Sequence, residues 1–133
     1  MNGQDINGWF IGFIESQNNT YFFSTNIQSE QRATGSRAVA SMEKAAKLNK
    51  KLIYAIGNAP TALIHLYEQV EKGIIDPELI IGVPVGFVNV VQSKELILKL
   101  EDTPYIIARG RKGGSNIAAC ICNALIYMLD EDL

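Results

Sequence analysis

Three short apolar runs constrain this chain more than any other feature. They are Leu52-Ile53-Tyr54-Ala55-Ile56, Leu79-Ile80-Ile81 and Pro104-Tyr105-Ile106-Ile107-Ala108. Each is followed by a glycine- or proline-bearing turn and then by a helical pattern. Short runs without polar alternation read as strands buried on both faces. Strand and helix alternating in this order call for parallel strands joined by right-handed crossovers. The expected fold class is therefore α/β, with helices covering both faces of a parallel sheet.

The helix after the first run is expected to open at Pro60, because a first turn has no use for the missing N–H. Leu63, Leu66, Tyr67 and Val70 then form its apolar stripe, and Gly73 is placed to end it. Further helices are expected over roughly Phe87 to Leu100 and Asn116 to Leu129. Upstream, Ser36 to Leu48 is helix-like, with Ala38, Met42, Ala45 and Ala46 on a small apolar face.

Before residue 36 the chain reads differently. Trp9 to Glu15 and Tyr21 to Ile27 are rich in strand formers and flank Gln17-Asn18-Asn19, which predicts a β-hairpin with a turn of about four residues. A two-stranded hairpin is marginal alone, and three parallel strands make a small sheet. The two parts are expected to complete each other or to need a partner. The expected division is a hairpin segment, 1–35, and an α/β domain, 36–133.

Composition narrows the function. With 133 residues and 47% apolar content, one domain with a core is expected. A net charge of −2 argues against nucleic acid as partner. Cys120 and Cys122 would point to nearly opposite faces of a helix, so they suit neither a disulfide nor a shared metal and read as small core residues. No apolar run is long enough to span a membrane, and Met1-Asn2-Gly3-Gln4-Asp5 does not look like a signal peptide. A cytoplasmic protein without metal or cofactor is expected.

The chemistry is expected where the parallel strands end, because open α/β sheets bind ligands beyond the carboxyl ends of their strands. The three turns there are Gly57-Asn58-Ala59-Pro60-Thr61, Gly82-Val83-Pro84-Val85-Gly86-Phe87 and Arg109-Gly110-Arg111-Lys112-Gly113-Gly114-Ser115-Asn116. Each opens a helix, whose free N–H groups and dipole favour an anion. The third adds three cations, and arginine can grip a carboxylate through two parallel hydrogen bonds. It is neither a nucleotide P-loop nor a Rossmann glycine fingerprint. The first two turns could equally be strand ends and helix starts with no ligand. Together the three suggest a ligand with several acidic groups around its rim.

Ala55 to Leu63, Ile81 to Val88 and Arg109 to Asn116, together with Ser36 to Glu43, resemble the precorrin-8X methylmutase family of cobalamin biosynthesis over residues 36–130. The resemblance implies a partial flavodoxin-like, three-layer domain in a homodimer. It implies an isomerase that moves a methyl group from C-11 to C-12 of a corrin precursor, precorrin-8 or its cobalt form. By residue-to-residue carry-over, Arg37, Asn58, Thr61, Arg109, Arg111 and Ser115 would hold carboxylates or ring edges. Gly57, Gly82, Gly86, Gly113 and Gly114 would let the macrocycle approach. The family's catalytic histidine lies in an N-terminal half for which this sequence shows the hairpin instead. The only histidine, His65, reads as an exposed helix residue. Impaired turnover is therefore expected, with a non-catalytic, tetrapyrrole-binding scaffold as the alternative.

Residues 3–38, in particular Asn7 to Glu15, Asn19 to Ile27 and Ala33 to Ala38, resemble the C-terminal end of class D β-lactamases. That implies two unrelated protein ends joined between Thr34 and Arg37. Ser41-Met42-Glu43-Lys44 fits Ser-x-x-Lys, but it lies inside the methylmutase-like helix and a match this short arises easily by chance. β-Lactamase activity is not expected.

Overall fold

The computed structural model describes residues 6–16, 19–29, 42, 44–47 and 51–130. In chain order the elements are strands β1 (Ile6–Ser16), β2 (Asn19–Ser29) and β3 (Leu52–Ile56), helix α1 (Pro60–Glu71), strand β4 (Leu79–Gly82), helix α2 (Val90–Ile97), strand β5 (Tyr105–Ile107) and helix α3 (Ser115–Asp130). They build one five-stranded sheet in the order β2-β1-β3-β4-β5.

Strands β3, β4 and β5 are parallel, as the alternating pattern demands. The hairpin joins the same sheet: β1 lies antiparallel to β3, with Ile11 opposite Ala55 and Ile14 opposite Leu52. It therefore supplies the pairing that an edge strand β3 would lack, and that β3 gives to the hairpin in return. The hairpin strands pair from Ile6↔Ser29 to Ser16↔Asn19. Asn19 is thus in a strand rather than in the turn, and the connection is shorter than expected.

Alternation along the parallel strands divides the core into two layers. Leu52, Tyr54, Ile56 and Ile80 pack with Leu63 and Leu66 of α1, Ile97 of α2, and Met42 and Ala45. On the other side Ala55, Ile81 and Val83 pack with Ala118 and Cys122 of α3, flanked by Ile53, Leu79, Ile121 and Leu125. Helices therefore cover both faces. Leu63 and Leu66 are fully buried, so truncating either to alanine would cost roughly 2–5 kcal/mol.

Several boundaries moved for local reasons. Met42 and Lys44–Ala46 are helical, while Ser36 to Ser41, including Arg37 and Ala38, lie outside the described residues. Strand β5 excludes Pro104, which cannot donate to the ladder, although its carbonyl accepts the Ile80 N–H at 3.0 Å. Helix α2 starts at Val90 rather than Phe87, because Asn89 adopts a left-handed conformation at φ 58° and interrupts the helical path. The cysteines are corrected in part: Cys122 is buried, whereas Cys120 on the outer side of α3 is exposed and is no core residue.

Candidate functional site

The three strand-to-helix turns meet at the carboxyl edge of the parallel strands. After β3, Gly57 is buried and Asn58 is exposed. Pro60 opens α1, and its N-cap residue Ala59 offers no side-chain cap. Thr61 is exposed on the first turn of that helix. Neither Asn58 nor Thr61 is spent on capping, so both polar side chains face solvent where the helix begins.

After β4, Val83 and Pro84 are buried while Val85, Phe87 and Val88 stand out into solvent. Phe87 is 85% exposed and Val88 77%, which is unusual for large apolar side chains beside a polar loop. After β5, Arg109, Arg111 and Lys112 are exposed, and Ser115 begins α3. Among the described residues none of these three cations takes part in an ion pair. The Arg111 guanidinium lies 5.8 Å from the centre of the Phe87 ring, a distance suited to cation–π attraction.

Backbone contacts lock the turns together. The Val83 N–H donates to the Ile56 carbonyl at 2.9 Å, and the Gly114 N–H donates to the Val83 carbonyl at 2.8 Å. A longer bond of 3.4 Å runs from the Gly86 N–H to the Arg111 carbonyl. Glycine is required for this closeness. A Cβ on Gly57 would lie 2.6 Å from Ser115 Cα, and one on Gly113 would run into the Val83 carbonyl. Gly82 makes room for Leu63 and Ile107, Gly86 faces Val90, and Gly114 faces the Asn116 side chain. The space left by these glycines is taken by neighbouring protein groups, a packing reason for them that the sequence did not disclose.

Lys94 escaped the sequence reading altogether. Its residue exposure is 0%, and its ammonium donates to the Gly110 carbonyl at 2.8 Å and the Lys112 carbonyl at 2.7 Å. Burial pushes its pKa below the usual lysine value. The two carbonyls favour the charged form. A signal was present: Lys94 sits on the stripe of α2 that includes Val90 and Ile97, four residues after one and three before the other.

His65 is not the exposed residue expected. Its side chain is only 18% exposed, its Nδ1 is 3.9 Å from a Glu68 carboxylate oxygen, and its buried Nε2 meets no hydrogen-bond partner among the described residues. It is the sixth residue of α1, roughly 7 Å along the axis from Pro60. Arg37 lies outside the described residues. Among the described residues no group of His, Cys, Asp and Glu is placed to hold a metal ion. No described helix is long and apolar enough to cross a membrane.

This arrangement can hold a ligand that is both anionic and apolar: cations and open helix starts for acidic groups, an exposed aromatic and two valines for a flat hydrocarbon face. A profile of the precorrin-8X methylmutase family matches residues 14–128, a range that starts inside β1 and continues past residues 34–37. A cobalt-precorrin-8 methylmutase of Leptospira interrogans is 44% identical over 119 residues, covering 82% of this chain and 54% of the relative. A precorrin-8X methylmutase of Pseudomonas aeruginosa is 50% identical over 74 residues, covering 55% of this chain and 36% of the relative. The crystal structure of a precorrin-8X methyl mutase from Thermus thermophilus superposes with a TM-score of 0.67 at 37% identity, over 73% of this chain and 49% of that one. The chain thus spans about half the length of the Leptospira and Thermus proteins.

Proposed function

The chain belongs to the precorrin-8X methylmutase family, and from that premise we propose that it binds a carboxylate-fringed corrin precursor, precorrin-8 or its cobalt form, and takes part in moving its methyl group from C-11 to C-12. One observation carries the reading: the three turns are joined by backbone contacts into one edge that exposes Arg109, Arg111 and Lys112, with Arg111 over the exposed Phe87 ring. In the proposed complex Asn58, Thr61, Ser115 and the two arginines bind the acidic rim, while Phe87 and Val88 lie against the macrocycle. The protein's work is to orient the ring and exclude water from the carbons that exchange the methyl group.

A second reading, binding without turnover, is favoured by the position of the single histidine. His65 is largely buried within α1 and beside Glu68, rather than presented on a turn. Adding precorrin-8 and following its visible spectrum separates the readings. Conversion supports the isomerase. A spectral shift without conversion supports the scaffold, and an unchanged spectrum overturns both.

We also propose a homodimer in the cytoplasm. Ser115 to Leu129 carries no charged residue, and Ile117, Tyr127 and Met128 are exposed on α3, so that helix keeps an apolar outer side in the isolated chain. A separate origin for residues 1–35 rests on their likeness to class D β-lactamases alone. The family match running from residue 14 across the suggested joint weighs against it.

A further inference from the structure

Lys94 has no counterpart in the binding chemistry described so far, yet it is the one charged residue buried among the described residues. An ammonium without solvent must find acceptors, and this one takes two from the same loop. We propose that Lys94 is a positioning residue for ligand binding, drawing the Gly110 and Lys112 carbonyls inward so that the N–H groups of Arg111 and Gly113 turn outward as a two-donor seat for one carboxylate of the ligand. This rests on the corrin-binding reading above and assigns one anchoring point within it.

The geometry follows from the peptide bond. In a planar trans peptide the C=O of one residue and the N–H of the next point in opposite directions, and no cis bond occurs among the described residues. Fixing the Gly110 carbonyl on Lys94 therefore directs the Arg111 N–H away from it, and fixing the Lys112 carbonyl does the same for Gly113. Two neighbouring groups are engaged elsewhere: the Arg111 carbonyl accepts from Gly86, which turns the Lys112 N–H away from Gly86, and the Gly114 N–H donates to Val83. The hydrogen bonds among the described residues use neither the Arg111 nor the Gly113 N–H. Two alternate N–H groups turned away from Lys94, in the loop that also carries the Arg111 guanidinium, are donors of the kind that suit a carboxylate. Lys94 adds a positive charge behind them.

The test compares wild type, Lys94→Met and Lys94→Arg in the full chain. Methionine keeps the buried stem and loses the donors, whereas arginine keeps charge and donors. The probe is cobyrinic acid, a corrin fringed with carboxylates, titrated by visible absorption while the backbone amides of Arg111 and Gly113 are followed by NMR. We expect Lys94→Met to remain folded, to displace both amide signals in the free protein and to bind at least about tenfold more weakly, as for one charge-assisted hydrogen bond lost. Lys94→Arg should recover most of that loss, which a role in packing alone would not predict. A folded Lys94→Met with both amides in place and unchanged affinity overturns the proposal. If wild type itself ignores the probe, the corrin-binding reading fails, and the amide signals alone then decide whether Lys94 shapes the loop. Should Lys94→Met fail to fold, Lys94→Arg decides: wild-type amides and affinity support the proposal, while a folded protein with both lost overturns it.

Discussion

Gly57 and Ser115, fifty-eight positions apart, touch backbone to backbone: a Cβ on Gly57 would lie 2.6 Å from Ser115 Cα and 2.8 Å from its nitrogen. The turn after β3 is thereby pressed against the start of α3. Both obstructing atoms are main chain, so no rotamer change relieves the overlap. Gly57→Ala should destabilise the fold by roughly 1–3 kcal/mol, as overpacking of a tight site does. It should also separate the first turn from the third and weaken tetrapyrrole binding. Urea unfolding reads the first effect and absorption titration the second. An unchanged midpoint would mean that the two elements can slide apart freely.

Tyr54 sets an alkaline limit on stability. It is 1% exposed, and burial raises its pKa from 10.0 to about 12. Above pH 10 the unfolded chain gives up this proton while the folded chain keeps it. The unfolded state then binds fewer protons, so stability present below pH 10 falls as pH rises towards 12, by about 3 kcal/mol in all. Lys94 acts with the opposite sign: burial lowers its pKa, so its contribution rises with pH until the unfolded lysine also titrates. Comparing wild type with Tyr54→Phe cancels the lysine. The phenylalanine variant should lack the loss between pH 10 and 12 in urea-unfolding free energies. Parallel pH profiles would contradict this assignment.

These two residues mark what the sequence could and could not disclose. The strands around Tyr54 were legible because a short apolar run between turn residues has few other uses, and Pro60 and Gly73 mark the two ends of α1. The meeting of the three strand-to-helix turns at one sheet edge was legible, since the strands they follow are parallel and end on the same side. Three things were not. The docking of β1 on β3 is a long-range pairing that local pattern does not encode. The late start of α2 depends on the left-handed Asn89, which helical periodicity passes over. Lys94 was passed over, although its place between Val90 and Ile97 put it on the buried stripe.

Phe87 is predicted to matter for binding and hardly at all for stability. At 85% exposure it contributes little to the core, and its attraction to Arg111 in open solvent is worth about 0.5–1 kcal/mol. Phe87→Ala should therefore shift the unfolding free energy by less than about 1 kcal/mol. If the ring lies against a macrocycle, the same change removes an aromatic contact worth roughly 0.5–1.5 kcal/mol beyond its area. Affinity for cobyrinic acid should fall by about tenfold, as seen by absorption titration. Equal binding by both proteins would move the apolar face of the ligand elsewhere.

The exposed arginines provide the most direct measure of how acidic the ligand is. Arg109 and Arg111 are both exposed and take part in no ion pair among the described residues, so removing them leaves no buried charge behind. Arg109→Ala combined with Arg111→Ala should consequently fold as wild type does. Each charge-assisted hydrogen bond lost to a substrate carboxylate is worth roughly 1.5–3 kcal/mol, which sets the scale of the fall in affinity. The loss should shrink as salt is added, because exposed charges are screened over about 10 Å at 0.1 M ionic strength. Titration calorimetry at two salt concentrations separates this from a packing defect, which salt would not relieve. Wild-type affinity in the double variant would relocate the carboxylate sites away from the third turn. A salt-independent loss would show instead that the arginines shape the loop, Arg111 through its place over Phe87.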